Sequence, residues 1–200
     1  MKYYKVYVFV LGVILLDHTV KLWIHFNMGQ GFLGQINLLG NWLKVQYELN
    51  SGMAFGVEWG RTYGKLALTI FRLLATIGIL FYLRRLLHRH AHSGLIYCIA
   101  LILGGAIGNL IDSVFYGVLL NNAPADVPFA WFHGQVIDMI YIDLLGGYLP
   151  HWIPFVGGKY VPATVFNIAD AAIFIGVIVI IVRQKQFFAK KRRKKYKTIA

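Results

Sequence analysis

Aspartate residues within apolar sequence are the feature of this chain that could carry out chemistry. Of its eight acidic residues, five lie in or beside apolar runs: Asp17, Asp112, Asp138, Asp143 and Asp170. A carboxylate inside a membrane span costs roughly 2.5–3.5 kcal/mol on insertion scales, so such residues are rare without a role. Two carboxylates brought close together share a proton, so one can accept a proton from water while the other donates to a carbonyl oxygen. Such a pair predicts hydrolysis without a metal.

Two of these aspartates follow an asparagine by three positions. Asn109 precedes Asp112, and Asn167 precedes Asp170. This spacing places both side chains on one helical face, where the amide can orient the carboxylate or a ligand. Any single aspartate could instead be a structural ion-pair residue, and that alternative is at least as good for the i, i+4 pair Asp17–Lys21.

The elements that must position these residues are apolar helices. The chain has 200 residues, of which 58% are hydrophobic and 14% charged, whereas soluble domains carry about 25% charged residues. We predict one domain over 1–200, an integral membrane all-α bundle of four transmembrane helices with a small extracytoplasmic β-sheet and an interfacial cap segment. The predicted spans, each near the ~20 residues that a crossing needs, are about 6–24, 66–83, 95–115 and 165–182.

Basic residues predict the orientation of these spans. Nine of the twenty Lys and Arg residues lie in the tail 183–200, and others lie in the loop 84–94. Basic flanks favour the cytoplasmic side, so we expect both termini in the cytoplasm and the regions 26–64 and 117–163 outside. This distribution explains the net charge of +12 as topology and attraction to anionic lipid rather than nucleic-acid binding. The aspartates then converge near the outer membrane boundary, with strand-like sequence at 36–57 above them.

Other reactive residue types have simpler interpretations. Cys98 lies in an apolar run, where burial leaves a thiol inert. His88, His90 and His92 alternate in a basic loop that is more typical of solvated sequence than of a metal site. The glycines of 104–108 fit close helix packing. We therefore expect no metal and no cofactor.

Five short motifs follow one another along the chain. They read LDHTVK (16–21), NSGMAF (50–55), GGAIGNLID (104–112), VIDMI (136–140) and FNIADAAIFIG (166–176). Any one motif would be weak, but five in this order are specific. Together they resemble the motifs of one known family, the lipoprotein signal peptidases (type II signal peptidases) of bacterial membranes.

The resemblance implies an intramembrane aspartic endopeptidase. It would remove the signal peptide of diacylglyceryl-modified prolipoproteins, cutting before the lipidated cysteine, with Asp138 and Asp170 as the catalytic pair. The enzyme would be a monomer without cofactor in the bacterial inner membrane, with membrane lipid as a partner and its active site near the outer face. The residues matched to supporting positions are Asn50, Gly52, Ala54, Phe55, Asn109, Asp112, Asn167 and Ala169, with Asp17 and Lys21 bracing the first helix.

Two departures from the family pattern stand out. The family commonly has arginine after the aspartate of the third-span motif, and here Ser113 takes that position. Its contact would be absent or supplied from elsewhere, with Lys44, Arg61 and Lys159 as candidates. Longer segments also fill 118–135 and 143–163, which resembles the variant found in the Bacteroidetes group.

Three alternatives stay open at this point. Asp143 lies five residues after Asp138 and is its main rival as a catalytic residue. A small proton-coupled transporter would also use intramembrane carboxylates, although transporter sites usually lie near the bilayer midplane. A lipid-binding scaffold without chemistry would leave the cost of the carboxylates unexplained.

Overall fold

The computed structural model describes residues 3–52, 61–143, 147–148, 150–152, 154, 157–159 and 163–189. Its long helices are α1 (Tyr3–Asn27), α2 (Arg61–His88), α3 (Ser93–Ile111) and α5 (Ile168–Phe187). At its end, α3 continues through a π-helical turn (Asp112–Tyr116) into the short α4 (Gly117–Leu119). A 3-10 turn (Gly31–Gly34) lies between α1 and the first strand.

Among the described residues, three helical segments are long and apolar enough to cross a membrane. They are Tyr3–Asn27, Tyr63–His88 and Ser93–Leu119, and they contain the first three predicted spans. The fourth predicted span, 165–182, is wrong at its start. Residues Thr164–Phe166 form a strand, and α5 begins only at Ile168 because Asn167 caps it.

Helix α3 is the centre of the bundle and contacts α1, α2 and α5. Its glycines allow this close packing, as expected from the sequence. A Cβ on Gly104 would lie 2.8 Å from Val13 of α1, and a Cβ on Gly105 would collide with the carbonyl oxygen of Ala169 on α5. The apolar side chains on the outer faces of α1, α2 and α5, such as Leu15, Phe71 and Phe174, remain exposed.

A four-stranded antiparallel sheet lies beside the bundle in the order β1 (Ile36–Leu39), β2 (Leu43–Asn50), β3 (Val136–Ile142) and β4 (Thr164–Phe166). The first two strands confirm the sheet expected from 36–57. The other two come from the regions before and at the start of the fourth predicted span. β3 pairs with β2 through Glu48 opposite Asp138, and with β4 through Ile140 opposite Phe166.

The segment that follows α4 packs back onto the end of α3. The backbone N–H groups of Phe132 and Gly134 donate to the carbonyl oxygens of Val114 and Ser113, at 3.2 and 3.0 Å. A Cβ on Gly134 would collide with the carbonyl oxygen of Asp112, so only glycine fits this approach. This contact places β3 next to Asp112, in the π-helical turn that follows α3.

Candidate active site

Asp138 lies in the middle of β3 and is almost fully buried, with 2% of its surface exposed. Its carboxylate accepts two amide hydrogen bonds. Asn50 Nδ2 donates to Oδ2 at 2.9 Å, and Asn167 Nδ2 donates to Oδ1 at 2.7 Å. Asn50 is two positions beyond the residue that pairs with Asp138 across the β2–β3 ladder, so both side chains share one face of the sheet.

Asp170 lies in the first turn of α5 and is partly exposed. Its Oδ1 accepts a hydrogen bond of 2.7 Å from Asn109 Nδ2 on α3. Its backbone N–H donates to Asn167 Oδ1 at 2.8 Å, which makes Asn167 the N-cap of the helix. An aspartate in the first helical turn is also favoured by the positive end of the helix dipole.

Asn167 connects the two carboxylates. Its oxygen accepts from the backbone of Asp170, while its amide nitrogen donates to Asp138 and, at 3.2 Å, to Asn109 Oδ1. Asn109 in turn donates to Asp170. Two asparagines that are fully buried or nearly so thus link a strand aspartate to a helix aspartate. These four residues come from three separate sequence motifs, and the structure brings them together in space.

Electrostatics make Asp138 a proton-holding group. The pKa of Asp138 is raised to about 6, chiefly because burial disfavours the ionised carboxylate. The hydrogen bond from Asn50 opposes this shift, whereas the negative charge of Asp170 adds to it. A carboxyl group whose pKa lies near neutrality can exchange a proton with water or a carbonyl oxygen at physiological pH.

Lys21 braces the helices behind this pair. Its fully buried ammonium lies 2.6 Å from Asp17 Oδ2, 2.7 Å from Asp112 Oδ2 and 3.2 Å from Asn109 Oδ1. Asp17 Oδ1 accepts a 2.8 Å hydrogen bond from the backbone N–H of Ala169, which ties α1 to α5. These residues therefore orient Asn109 and the start of α5 rather than face a substrate.

The carboxylates of Asp17 and Asp112 also lie near His18, within the mutual distance of 4.8 Å expected of metal ligands. The Lys21 ammonium already contacts both carboxylates. It supplies the positive charge that a cation would bring, so this cluster fits an ion-pair network better than a metal site.

The loop after β2 is tied to Asn50, the last residue of β2, which contacts Asp138. The backbone N–H of Gly52 donates to Asn50 Oδ1 at 2.6 Å, and its φ of +80° favours glycine. Ser51 Oγ accepts a 2.7 Å hydrogen bond from Gln135 Nε2, which joins this loop to the residue before β3. Ala54 and Phe55 lie outside the described residues.

Ser113 has a basic partner that was not among the three candidates named from the sequence. Arg72 of α2 donates from Nη1 to Ser113 Oγ at 2.7 Å. Of the three candidates considered, Lys44 stacks over the Tyr141 ring, Lys159 is exposed, and the side chain of Arg61 lies outside the described part of the chain. The cost of a charge within a span, which singled out the aspartates, applies equally to Arg72 and would have found it.

Asp143 lies apart from the pair. It follows the last residue of β3, and its backbone N–H donates to the carbonyl oxygen of Trp42 at 2.8 Å. It lies five residues after Asp138, which along an extended chain is about 16 Å. It is Asp138 that accepts the hydrogen bonds from Asn50 and Asn167.

Comparisons with known proteins agree with this arrangement. A family model described as Signal peptidase (SPase) II matches residues 9–186. The lipoprotein signal peptidase of Amoebophilus asiaticus is 50% identical over 186 residues, covering 92% of this chain and 79% of that protein. The lipoprotein signal peptidase of Porphyromonas gingivalis is 36% identical, covering 85% of this chain and 78% of that protein.

Two solved structures of bacterial membrane enzymes, obtained by the in meso method, share the fold. One, at 2.3 Å resolution, has a TM-score of 0.64 at 24% identity and covers 98% of this chain and 97% of its own. The other, at 1.9 Å resolution, has a TM-score of 0.61 at 25% identity and covers 92% and 94%. Given the family match along most of its length, the chain belongs to the signal peptidase II family.

Proposed function

We propose that this protein removes signal peptides from diacylglyceryl-modified prolipoproteins in the bacterial inner membrane, cutting before the lipidated cysteine. Membership of the signal peptidase II family supports the substrate class. The observation that carries the mechanism is the pair of hydrogen bonds by which Asn167 holds Asp138 and the backbone of Asp170 together.

The proposed mechanism is that of an aspartic endopeptidase. Asp138 and Asp170 hold one proton between them. The ionised carboxylate takes a proton from a water molecule, whose oxygen attacks the carbonyl carbon, while the protonated carboxyl donates to the carbonyl oxygen. When the tetrahedral intermediate collapses, the C–N bond breaks as the newly protonated carboxyl gives its proton to the leaving nitrogen. The other carboxylate takes a proton from one hydroxyl of the intermediate, which restores the shared proton of the pair. The cycle consumes one water and needs no metal or cofactor.

The membrane arrangement forms part of the proposal. α5 has 20 residues and would be about 30 Å long, which is enough for a fourth span. With basic residues at its end and in the α2–α3 loop, both termini would be cytoplasmic and the aspartates would lie near the outer face. The substrate's lipid would rest among the helices, so that the peptide reaches the pair at the membrane boundary. We expect a single domain that acts as a monomer.

Purified protein in lipid, supplied with a diacylglyceryl-modified prolipoprotein, tests this function. We expect mass spectrometry to show one cleavage, directly before the modified cysteine. The same prolipoprotein without the lipid is the matched control, and it should be cleaved far more slowly because it is not held at the membrane boundary. Cleavage elsewhere in the chain, or no cleavage by folded protein, would contradict the proposal.

A further inference from the structure

Helix α2 carries two basic residues on the side that faces the aspartates. Lys65 and Arg72 are seven residues apart, about two turns, and so lie on one helical face. Lys65 is only 3% exposed. Thr69, between them, donates to the carbonyl oxygen of Phe132 at 2.9 Å. This face of α2 therefore points into the protein and not toward lipid.

The side chain of Arg72 lies between Ser113 and the loop after β2. Besides the bond to Ser113, in the π-helical turn after α3, its Nη2 would lie 3.1 Å from a Cβ on Gly52, in the loop after β2. Its guanidinium is within Coulombic range of the carboxylates of Asp170, Asp112 and Asp138. A guanidinium has five N–H donors, and the bond to Ser113 uses one of them.

Lys65 is a buried donor without an acceptor. Its Nζ has no hydrogen-bond partner among the described residues, although the carboxylates of Asp112 and Asp138 are within Coulombic range. A buried polar group without a hydrogen bond destabilises the protein that contains it. A ligand that brings an acceptor oxygen to Nζ would remove this penalty.

We propose that Lys65 and Arg72 bind carbonyl oxygens of the prolipoprotein beside the scissile bond. This inference rests on the proposed function, because it concerns how the same substrate is held. An extended peptide between α2 and the aspartates presents backbone carbonyl oxygens, and the diacylglyceryl group presents ester carbonyl oxygens. Either kind of carbonyl oxygen could accept a hydrogen bond from Lys65 Nζ or from the Arg72 N–H groups that do not bind Ser113. Neither kind would compete with the carboxylates for the proton of the attacking water.

Steady-state cleavage and thermal unfolding of two neutral variants, Lys65→Met and Arg72→Gln, test the proposal. A hydrogen bond from a charged donor contributes about tenfold or more in affinity, so each variant should raise KM by at least about tenfold with a much smaller change in kcat. Arg72→Lys should raise KM less than Arg72→Gln does, because lysine keeps the positive charge but cannot donate two parallel hydrogen bonds as a guanidinium does. Arg84→Gln, at an exposed position near the far end of α2, is the matched control and should leave both constants unchanged.

Thermal unfolding separates this role from a structural one. Lys65→Met removes a buried amine without a partner, so its Tm should equal or exceed that of the wild type while KM rises. A lowered Tm with an unchanged KM would overturn the proposal, as would a wild-type KM in both neutral variants. Wild-type protein that cleaves nothing would instead overturn the proposed function and this inference with it.

A substrate with ether-linked alkyl chains distinguishes the two sources of carbonyl oxygen. It lacks the ester carbonyls and keeps the peptide. If Lys65→Met still raises KM for this substrate, the donor binds the peptide backbone. If the difference in KM between Lys65→Met and wild type disappears for the ether-linked substrate but remains for the ester-linked one, Lys65 binds the lipid esters. A difference absent for both substrates overturns the assignment.

Discussion

Asn167 is the residue whose replacement tests how the two carboxylates are held together. Its side chain is fully buried, caps α5 and donates to Asp138 at 2.7 Å. Losing an N-cap costs about 0.5–2 kcal/mol. Losing a hydrogen bond to a charged group costs roughly 1.5–3 kcal/mol. We therefore expect Asn167→Ala to lower the free energy of unfolding by about 2–5 kcal/mol.

Activity should fall further than stability alone explains. A displacement of about 1 Å at a reacting group can cost about 10²-fold in rate, so kcat/KM should fall by at least that factor in the folded variant. Unfolding followed by tryptophan fluorescence in lipid, together with cleavage kinetics at a temperature where the variant stays folded, measures both quantities.

Asn167→Ser tests the N-cap of α5 separately from the hydrogen bond to Asp138. Serine is a good N-cap and keeps an acceptor for the backbone N–H of Asp170, but it lacks the amide that reaches Asp138. It should recover about 1 kcal/mol of stability relative to alanine while kcat/KM stays low. Wild-type kcat/KM in Asn167→Ser would refute the reasoning, because the link between the carboxylates would then be dispensable.

Two further predictions concern proton affinity and packing. Because the pKa of Asp138 is raised to about 6, kcat/KM should decline as the pH rises through that value. In Asn50→Ala the decline should move to higher pH, since the lost hydrogen bond favoured the ionised form; a lower midpoint in a pH–rate profile would contradict this. Gly105→Ala should lower Tm by several degrees because its Cβ would collide with a carbonyl oxygen of α5, whereas Gly12→Ala, with open space around it, should not. Equal Tm values for the two variants would show that α3 and α5 can separate without cost.

The direction of the pKa shift of Asp138 also determines how the stability of the protein depends on pH. Its folded pKa of about 6 exceeds the value of about 3.9 for an unperturbed aspartate. Its contribution to stability is therefore fully present below about pH 4 and is lost as the pH rises through about 6. The pair is least costly to the fold when it holds its proton.

The sequence was most informative where charge interrupts apolar sequence. The clustering of Asp138, Asp170 and their asparagines could be expected from the sequence, because polar residues within apolar segments were expected at one depth. Their catalytic role stays a prediction. Hydropathy could not predict that α5 begins at Ile168, because the apolar residues Val165 and Phe166 suit a strand and a span equally.

Pairing between strands that are distant in the chain was the other feature that could not be predicted from the sequence. The antiparallel pairing of β3 with β2 joins residues that are far apart in the chain, and no local pattern encodes it. The π-helical turn that begins at Asp112 leaves no periodic signal either, although it contains Ser113, the partner of Arg72. Lys65 lies one position before the predicted second span, where a charged residue is ordinary and gives no signal of a site.

The most direct test of the central claim is a gel-shift cleavage assay on diacylglyceryl-modified prolipoprotein in lipid. It compares wild type with Asp138→Asn, Asp170→Asn and Asp143→Asn, with and without a chelator. We predict that the first two variants lose cleavage while remaining folded, that Asp143→Asn retains it, and that the chelator has no effect. Cleavage that survives Asp138→Asn or Asp170→Asn would contradict the two-aspartate mechanism, and loss in Asp143→Asn alone would place the catalytic carboxylate at the other end of β3.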